Sequence, residues 1–456
     1  MTDQKHNTKC RLCTKRSCVF LYRMLVWAIM GISSLSFLSS CCDDETNNMP
    51  NDTTSSRVIL AYIAGENNLS VDAKADLDEM LKGSIYMSNN DTLVVMYDNA
   101  NKSQLPCIYE ITKGMEEKGV NELTPFYTFD EEINSASSET LEQVMQILFN
   151  KYQADSYGII FWSHGNGWIP SNYKGDNTAR TRDANSQQIN LPLFGSFGVD
   201  TGNNSSNTSM GHQMDIKDMA NVLSKFPKTD FIMFDACFMQ SIEVAYELGK
   251  YTDYIIASPA EIPAWGAPYQ ELAKPLFADV FNPSDVIDAY HTFYKDYHPK
   301  YGIILSVVDC NKLEQFASIH KEMITNYSEQ MANIELEGAL NYFIFDKWNN
   351  PDYKGQYYQS DCPDYYDING VMQRVITDIN DYHAWEEELN NVLPYSCKND
   401  TWYSGYPISS YERYMPLDSK QFSGLTMYVE QDKYKEHFFY NAYQHTAWAK
   451  AMNHGE

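Results

Sequence analysis

Short apolar runs alternate with amphipathic stretches along the chain from residue 57 onward. Buried parallel strands are recognised as continuous apolar runs of roughly four to eight residues. Six such runs lie at residues 58–64, 92–97, 107–111, 158–162, 230–234 and 254–257. Helical spacing of apolar residues separates several of them, most clearly at 139–153. The alternation predicts an α/β fold, in which helices cover both faces of a mostly parallel sheet.

Two of these predicted strands are followed directly by residues that carry chemistry. The run at 158–162 leads into SHGNGW (163–168), and the run at 230–234 leads into Asp235-Ala236-Cys237, just before a predicted helix at 240–248. In parallel sheets, functional residues gather beyond the carboxyl ends of the strands. We therefore expect His164 and Cys237 to lie close together.

His164 and Cys237 are the residue types of a nucleophilic pair. A cysteine attacks a carbonyl carbon as the thiolate, and a neighbouring imidazole accepts the thiol proton. The dipole of the following helix is expected to lower the pKa of Cys237. Gly165 has no side chain to shield its backbone N–H, so the amides of Gly165 and Cys237 are candidates for an oxyanion hole. The alternative for Cys237 is a small buried hydrophobic residue at a strand end.

Two further regions complete the predicted organisation of the folded part. Residues 170–213 lose apolar periodicity and are rich in Asn, Ser, Thr and Gly, which predicts a long insertion loop. His212 lies at the end of this loop and is a second candidate for the base. From residue 271 to 456, a new set of apolar and helical patterns predicts a C-terminal subdomain.

Residues 1–40 have the layout of a secretory signal peptide. Basic residues precede an apolar stretch at 24–38, which is too short and too rich in serine for a membrane span. The following LSSC ends at Cys41 and resembles a bacterial lipobox, so Cys41 is the predicted lipidation site. Polar residues 41–56 predict a flexible tether. We expect a protein anchored by lipid in the bacterial cell envelope, at the outer membrane and exposed at the surface.

Composition narrows the classes of partner and cofactor. The formal net charge is −27, from 34 basic and 61 acidic residues, and an acidic surface repels phosphate backbones, which argues against nucleic-acid binding. The histidines show no metal-ligand spacing, and no EF-hand pattern is present. No metal or other cofactor is therefore predicted. Cys362 and Cys397 are candidates for a disulfide, which the sequence alone does not decide.

Three segments carry a resemblance to a known family. HGNGW (164–168), DACFMQSIEVAYEL (235–248) and VILAYIAGENNL (58–69) resemble the clostripain family of cysteine peptidases, which has a caspase-like fold. The resemblance implies a three-layer α/β/α sandwich over residues 57–270. It also implies that His164 is the general base and Cys237 the nucleophile. Some relatives use calcium, so calcium is possible here.

The resemblance also implies where the substrate binds. Asp235 matches the acidic residue that helps to form a pocket for arginine or lysine; a helix N-cap is its structural alternative. Relatives with firm basic specificity resemble PGxGWDY downstream, whereas this chain has PAWGAPY at 263–269, so Pro268 stands where a second acid is expected. Glu261 is close in sequence to that position.

Some relatives cut themselves between the base and the nucleophile. Lys174, Arg180 and Arg182 lie in that interval and are candidate self-cleavage sites. We expect the 170–213 loop to be cleaved or to act as a lid, with an uncut surface loop as the alternative.

The favoured function is that of a cysteine endopeptidase that cleaves polypeptides after arginine or lysine. One alternative is a surface lipoprotein that binds a polypeptide or glycan on the same scaffold without turnover. Another is an esterase or transpeptidase that uses the same pair. The expected partners are a polypeptide substrate and, through the lipid anchor only, a membrane. The oligomeric state is left open.

Overall fold

The computed structural model describes residues 54–101, 103–171, 196–202, 211–299, 301–343, 365–404, 413–435 and 438–453. The strands, in chain order, are β1 (Thr54–Gly65), β2 (Asp91–Asn99), β3 (Cys107–Ile111), β4 (Tyr127–Thr128), β5 (Gln153–Trp162), β6 (Phe197–Asp200), β7 (His212–Met214), β8 (Thr229–Asp235), β9 (Thr252–Ala257), β10 (Leu305–Asp309), β11 (Tyr366–Asp367), β12 (Tyr395–Cys397), β13 (Thr401–Ser404), β14 (Arg413–Pro416) and β15 (Thr426–Met427). The helices are α1 (Ser70–Gly83), α2 (Ser138–Lys151), α3 (Ile216–Leu223), α4 (Ile242–Leu248), α5 (Tyr269–Leu276), α6 (Pro283–Tyr297), α7 (Leu313–Asn326), α8 (Ser328–Ala332), α9 (Ile368–Val375), α10 (Ile379–Val392), α11 (Phe438–Tyr443) and α12 (Ala447–Met452).

A nine-stranded sheet forms the centre of the fold, with the order β12-β10-β9-β8-β5-β1-β2-β3-β4. The five strands from β9 to β2 pair in parallel, and antiparallel strands are added at both edges. The six predicted strands lie within β1, β2, β3, β5, β8 and β9. The prediction of a mostly parallel sheet is therefore confirmed.

Side chains alternate between two cores, one on each face of the sheet. On β1, Tyr62 and its same-face neighbours pack with α2, α3 and α4, whereas Ile63 and its neighbours pack with α1, α5 and α6. A strand with both faces buried has to be largely apolar, and the one polar group in the side chains of 58–64, the Tyr62 hydroxyl, donates to Ser135 O at 2.8 Å. The result is a three-layer α/β/α sandwich, as the caspase-like resemblance implies.

The residues after 270 are built onto the same sheet. Strand β10 pairs with β9 and β12 in antiparallel register, and α7 and α10 pack against the core that also contains α4. Residues 51–456 cluster as one compact unit. The boundary between a core at 57–270 and a subdomain at 271–456 stays a prediction.

Helix α4 begins later than the sequence suggests. Its N-cap is Ser241, whose hydroxyl accepts a hydrogen bond from Val244 N at 3.2 Å, so the first helical residue is Ile242 rather than residue 240. The expectation that Asp235 caps this helix is therefore wrong. The dipole of α4 also starts five residues beyond Cys237, too far to act on it as expected.

The 170–213 segment is not irregular throughout. Strands β6 and β7 form an antiparallel pair at its C-terminal end, because Phe197, Val199 and Met214 are buried between polar neighbours. Three apolar positions are too sparse among Asn, Ser and Gly to reveal this pair by periodicity.

Several predictions fall on other parts of the chain. The signal peptide (1–40), Cys41, Lys174, Arg180, Arg182 and Cys362 lie outside the described residues. Cys397 is buried on the edge strand β12. Within the described ranges, no helix has both the length and the hydropathy to cross a membrane.

Candidate active site

The register of β5 and β8 brings His164 and Cys237 side by side. Trp162 and Asp235 are direct partners in the parallel pair, and His164 and Cys237 each lie two residues further on. Gly165 completes the close approach, because a Cβ atom there would lie 2.8 Å from the carbonyl oxygen of Cys237. The two segments can therefore touch only with glycine at position 165.

His164 is held by its backbone and by its ring. Its carbonyl oxygen accepts from Gly198 N at 2.9 Å, and its Nε2 lies 2.8 Å from Asn68 Oδ1. Burial lowers the pKa of His164 to about 4. The imidazole is therefore neutral at physiological pH, which is the state that a general base requires.

Cys237 lies in a tight turn under the 258–263 segment. The N–H of Ile262 donates to Cys237 Sγ at 3.3 Å, and Phe238 N donates to Ala260 O at 3.0 Å. Phe238 has a φ of +61°, a conformation that non-glycine residues rarely adopt and that clusters at functional sites.

The thiol of Cys237 is protonated in this arrangement. Burial, followed by the nearby charge of Glu261, raises its pKa to about 12. The expected lowering by the helix dipole is therefore wrong. No hydrogen bond links His164 to Cys237 in the described part of the chain, so the two groups form a neutral, separated pair in the resting protein.

The backbone near Gly165 leaves an amide available for an oxyanion. Residues 164–166 pair with 196–198 through Asn166 N to Ser196 O at 3.1 Å and Gly198 N to His164 O. This ladder uses the amide of Asn166 and the carbonyl oxygen of His164, but not the amide of Gly165. The role assigned to the Gly165 and Cys237 amides stays a prediction.

Asp235 lies at the end of β8, two residues before Cys237, and its side chain is 5% exposed. Its Oδ2 accepts hydrogen bonds from Ala267 N at 2.9 Å and from Tyr269 OH at 2.8 Å. Burial raises the pKa of Asp235 to about 6, although these donors oppose the shift. The carboxylate therefore carries a charge at neutral pH and is held by donors from the 263–269 segment.

A second carboxylate, from Asp76 on α1, lies beside Asp235. Trp162 Nε1 donates to Asp76 Oδ2 at 2.6 Å. Gly266, at φ +62°, separates the two acids, since a Cβ atom there would lie 2.7 Å from Asp235 Oδ2 and 3.2 Å from Asp76 Oδ2. Burial and then the charge of Asp235 raise the pKa of Asp76 to about 10. The pair therefore carries about one negative charge at neutral pH.

Asp76 is a residue that the sequence analysis missed. Pro268, which stands where a second acid was expected, occupies the N-cap position of α5. The carboxylate that lies beside Asp235 comes instead from Asp76 on α1, 159 residues before Asp235 in the chain. The one signal in the sequence is an aspartate on the buried face of α1, next to Leu77 and one turn from Ala73.

The remaining candidates occupy other positions. His212, the rival base, is exposed on β7 and pairs in register with Asp200. Glu261 lies close enough to Cys237 to raise the pKa of its thiol.

The clostripain family is the family whose model matches this chain, over residues 61–194 and 196–456. The chain belongs to the clostripain family. It is therefore a cysteine peptidase and a hydrolase that acts on polypeptides. Family membership does not favour the alternative of a binding protein without turnover.

Solved structures of clostripain-type proteases share the fold. A secreted C11 cysteine protease from Bacteroides thetaiotaomicron, in complex with an irreversible peptide inhibitor, is 28% identical; the match covers 88% of this chain and 99% of that chain, with a TM-score of 0.68. An inactive zymogen C11 protease from Parabacteroides distasonis is 24% identical, with coverage of 89% and 100% and a TM-score of 0.68. At the latter identity the likeness shows the fold alone. None of the curated proteins matches this clostripain-family chain.

Proposed function

We propose that this peptidase is an endopeptidase that cleaves after arginine or lysine, with Cys237 as nucleophile and His164 as general base. The observation that carries the proposal is the register of β5 and β8, which sets a histidine and a cysteine next to each other beyond the ends of two parallel strands.

Acylation starts from a neutral pair. As Cys237 Sγ attacks the scissile carbonyl carbon, its proton passes to the imidazole of His164, which then donates it to the leaving amine. The Gly165 and Cys237 amides stabilise the oxyanion. Water, deprotonated by His164, hydrolyses the thioester and frees the thiol.

Substrate binding has to prepare this pair. The high pKa of Cys237 and the low pKa of His164 both disfavour proton transfer in the resting protein. Ile262, which donates to the sulfur, and Asn68, which holds the imidazole, keep the groups apart. We propose that the substrate backbone displaces the 258–263 segment and allows His164 and Cys237 to meet.

The preference for a basic P1 residue rests on the two buried aspartates. Asp235 and Asp76 lie beneath Cys237 on the side of the sheet covered by α1 and α5. The guanidinium or ammonium group of a substrate side chain would act as the counter-ion of this pair and neutralise its single negative charge. Trp265, 48% exposed and in tilted ring contact with His298 at 4.4 Å between centroids, offers an aromatic surface near this pocket.

The test is cleavage of a peptide library by wild type and by Cys237→Ala. We expect wild type to cut after arginine or lysine and the variant to be inactive. Full activity of Cys237→Ala would remove the proposed nucleophile, whereas cleavage by wild type after other residues would remove only the pocket assignment.

We also propose self-cleavage after Lys174, Arg180 or Arg182. Ser171 N donates to Asp215 Oδ1 at 2.5 Å, and Ser196 O accepts from Asn166 N at 3.1 Å. A cut between these two anchors would leave both ends attached to the sheet. Intact mass after incubation, compared with Cys237→Ala, decides this proposal, since identical unprocessed masses contradict it.

The proposed location is the cell envelope. The signal peptide (1–40), the lipobox ending at Cys41 and the polar tether (41–56) support a lipid anchor at the outer membrane. Mass spectrometry of the membrane fraction tests it, with loss of the lipid-modified N-terminal peptide expected in Cys41→Ala.

A further inference from the structure

Tyr365 contacts both of the segments that carry the proposed catalytic pair. Its hydroxyl donates to Asn166 O at 2.9 Å, although the two residues are 199 positions apart in the chain. Its ring stacks on the ring of Phe238, with 4.6 Å between centroids and 27° between planes. Asn166 belongs to the histidine loop (163–168), and Phe238 belongs to the nucleophile turn (236–239). One side chain therefore joins the histidine loop to the nucleophile turn.

The histidine loop and the nucleophile turn also touch each other where Tyr365 meets them. Gly167 has a φ of +65°, and a Cβ atom there would lie 2.9 Å from the carbonyl oxygen of Phe238 and 3.5 Å from Cε1 of Tyr365. Protein interiors are packed as densely as organic crystals, so a displacement of one neighbour is transmitted to the others. The relative position of the two segments therefore depends on the ring of Tyr365.

The backbone conformation of Phe238 depends on these aromatic contacts. Its φ of +61° is costly for a non-glycine residue and persists only where the surrounding structure holds it. The ring of Phe238 packs edge-on against Phe343, with 5.5 Å between centroids, and face-on against Tyr365. Because Phe238 is bonded directly to Cys237, the contacts that hold Phe238 also fix the backbone that carries the thiol.

Tyr365 is itself fixed in place. It is 3% exposed, its N–H donates to Asn341 Oδ1 at 2.9 Å, and its carbonyl oxygen accepts from Tyr342 N at 3.0 Å. Because the backbone is held on both sides of the ring, the side chain has a fixed origin from which to reach the histidine loop and the nucleophile turn.

We propose that Tyr365 is a positioning residue for the peptidase reaction, and that its hydroxyl and its ring together set the position of His164 relative to Cys237. The inference rests on the roles proposed above for His164 and Cys237. A misplacement of about 1 Å between reacting groups can cost about 100-fold in rate. Tyr365 is buried and acts through the two segments, so its loss should slow the chemical step more than it weakens substrate binding.

The test separates chemistry from binding. The wild-type protein and its variants react with a peptidyl acyloxymethyl ketone that carries lysine at P1, and both kinact, the rate constant at saturating inhibitor, and KI are measured. Tyr365→Phe keeps the ring contact and loses the hydroxyl, so kinact should fall about tenfold. Tyr365→Leu loses both contacts, and kinact should fall about 100-fold. In both variants KI should change by less than about twofold.

Tyr62→Phe is the matched control. Tyr62 is buried on β1 and donates its hydroxyl to the carbonyl oxygen of Ser135 at 2.8 Å, so this variant loses the same kind of hydrogen bond without touching the histidine loop or the nucleophile turn. Both phenylalanine variants should lower Tm by similar amounts, because each leaves a carbonyl oxygen without its donor. Only Tyr365→Phe should lower kinact.

Three results would overturn the inference: an unchanged kinact in Tyr365→Phe, a loss confined to KI, or an equal fall of kinact in Tyr62→Phe. The proposed function fails by a different result, since wild type would then not be labelled at Cys237. Should Tyr365→Leu fail to fold, the comparison of the two phenylalanine variants decides alone.

Discussion

Two groups of carboxylates lie near the carboxyl ends of parallel strands, one group beyond β8 and the other beyond β1 and β2, on opposite faces of one sheet. On the α1 and α5 side, Asp235 and Asp76 accept hydrogen bonds from a tryptophan, a tyrosine and a backbone amide. On the other side, Glu66, Asp98 and Glu132 each keep a buried oxygen without a donor.

The difference lies in the hydrogen-bond donors around each group. A pocket whose acids are already satisfied by neutral donors can stay folded while empty and receive a basic side chain during turnover. Glu66 and Asp98 each keep one buried oxygen without such a donor, and burial raises the pKa of both carboxyl groups. Burial alone therefore does not tell the roles of the two groups apart, whereas the donors around them do.

Removing a carboxylate from one group or from the other should give different phenotypes. Asp235→Asn removes the charge that faces a basic P1 residue, so kcat/KM on arginine and lysine substrates should fall by about 100-fold. Asp98→Asn removes a carboxyl group on the opposite face of the sheet and should retain the preference for basic P1 residues. Peptide kinetics and thermal unfolding of both variants provide the measurements.

Asp230→Asn is the control for Asp235→Asn, since Asp230 lies on the same strand at its opposite end. Loss of the preference for basic P1 residues in Asp98→Asn would show that the two groups act as one functional unit.

Asp76→Asn should stabilise the fold in a pH-dependent way. The pKa of Asp76 is about 10 in the folded protein against an ordinary 3.8, so above pH 4 the native state holds a proton that the unfolded chain releases, and stability is lost as pH rises. Asparagine keeps an oxygen for Trp162 and removes this linkage. We expect a gain of about 1–3 kcal/mol in the free energy of unfolding at pH 8 that vanishes near pH 4.

Urea unfolding at both pH values measures the gain. Asp78→Asn on the same helix is the control, since Asp78 forms a partly exposed ion pair with Lys82 and should change stability by less than about 1 kcal/mol. A pH-independent gain in Asp76→Asn would mean that Asp76 is ionised in the native protein.

The pH profile of kcat/KM should distinguish the titration of Asp235 in the proposed pocket from that of His164, the proposed base. Asp235 has a pKa of about 6 and His164 of about 4. From pH 6 to pH 5, Asp235 becomes protonated while His164 stays neutral, so kcat/KM on arginine or lysine substrates should fall, by at most about tenfold per pH unit. Asp235→Asn should lack this acid limb. Its persistence in the variant would assign the limb to another group.

Asn68→Ala should have the smallest effect on rate. Asn68 is a positioning residue that orients the imidazole of His164, so we expect kcat to fall by about 3–10-fold with little change in KM. Asn68→Asp supplies a more specific readout, because a carboxylate at this position raises the pKa of His164. The acid limb on a neutral substrate should then move upward; an unmoved limb would show that Asn68 does not act through His164.

The parts of the site that lie at strand ends could be predicted from sequence. His164, Cys237 and Asp235 follow apolar runs whose length and composition identify buried strands, and parallel strands deliver their ends to one edge. The local environment of these residues was harder to predict from sequence. The start of α4 depended on the Ser241 cap, and the expected pKa of Cys237 was wrong because burial outweighs a distant dipole.

Contacts between distant segments escaped prediction altogether. Asp76 reaches Asp235 across the packing of α1 on α5, and Glu132 reaches Glu66 from a segment without regular structure. No periodicity reports which acids on separate segments converge. The unpaired oxygens of Glu66, Asp98 and Glu132 arise from this convergence, which no local pattern along the chain encodes.

The most direct test of the account is covalent labelling of the purified protein with a peptidyl acyloxymethyl ketone that carries lysine at P1. We predict one inhibitor adduct per chain, mapped to Cys237 by peptide mass spectrometry, abolished in His164→Ala and much slower in Asp235→Asn. Labelling of another cysteine, or equal labelling of Cys237 in His164→Ala, would contradict the central claim that His164 and Cys237 act together as a catalytic pair.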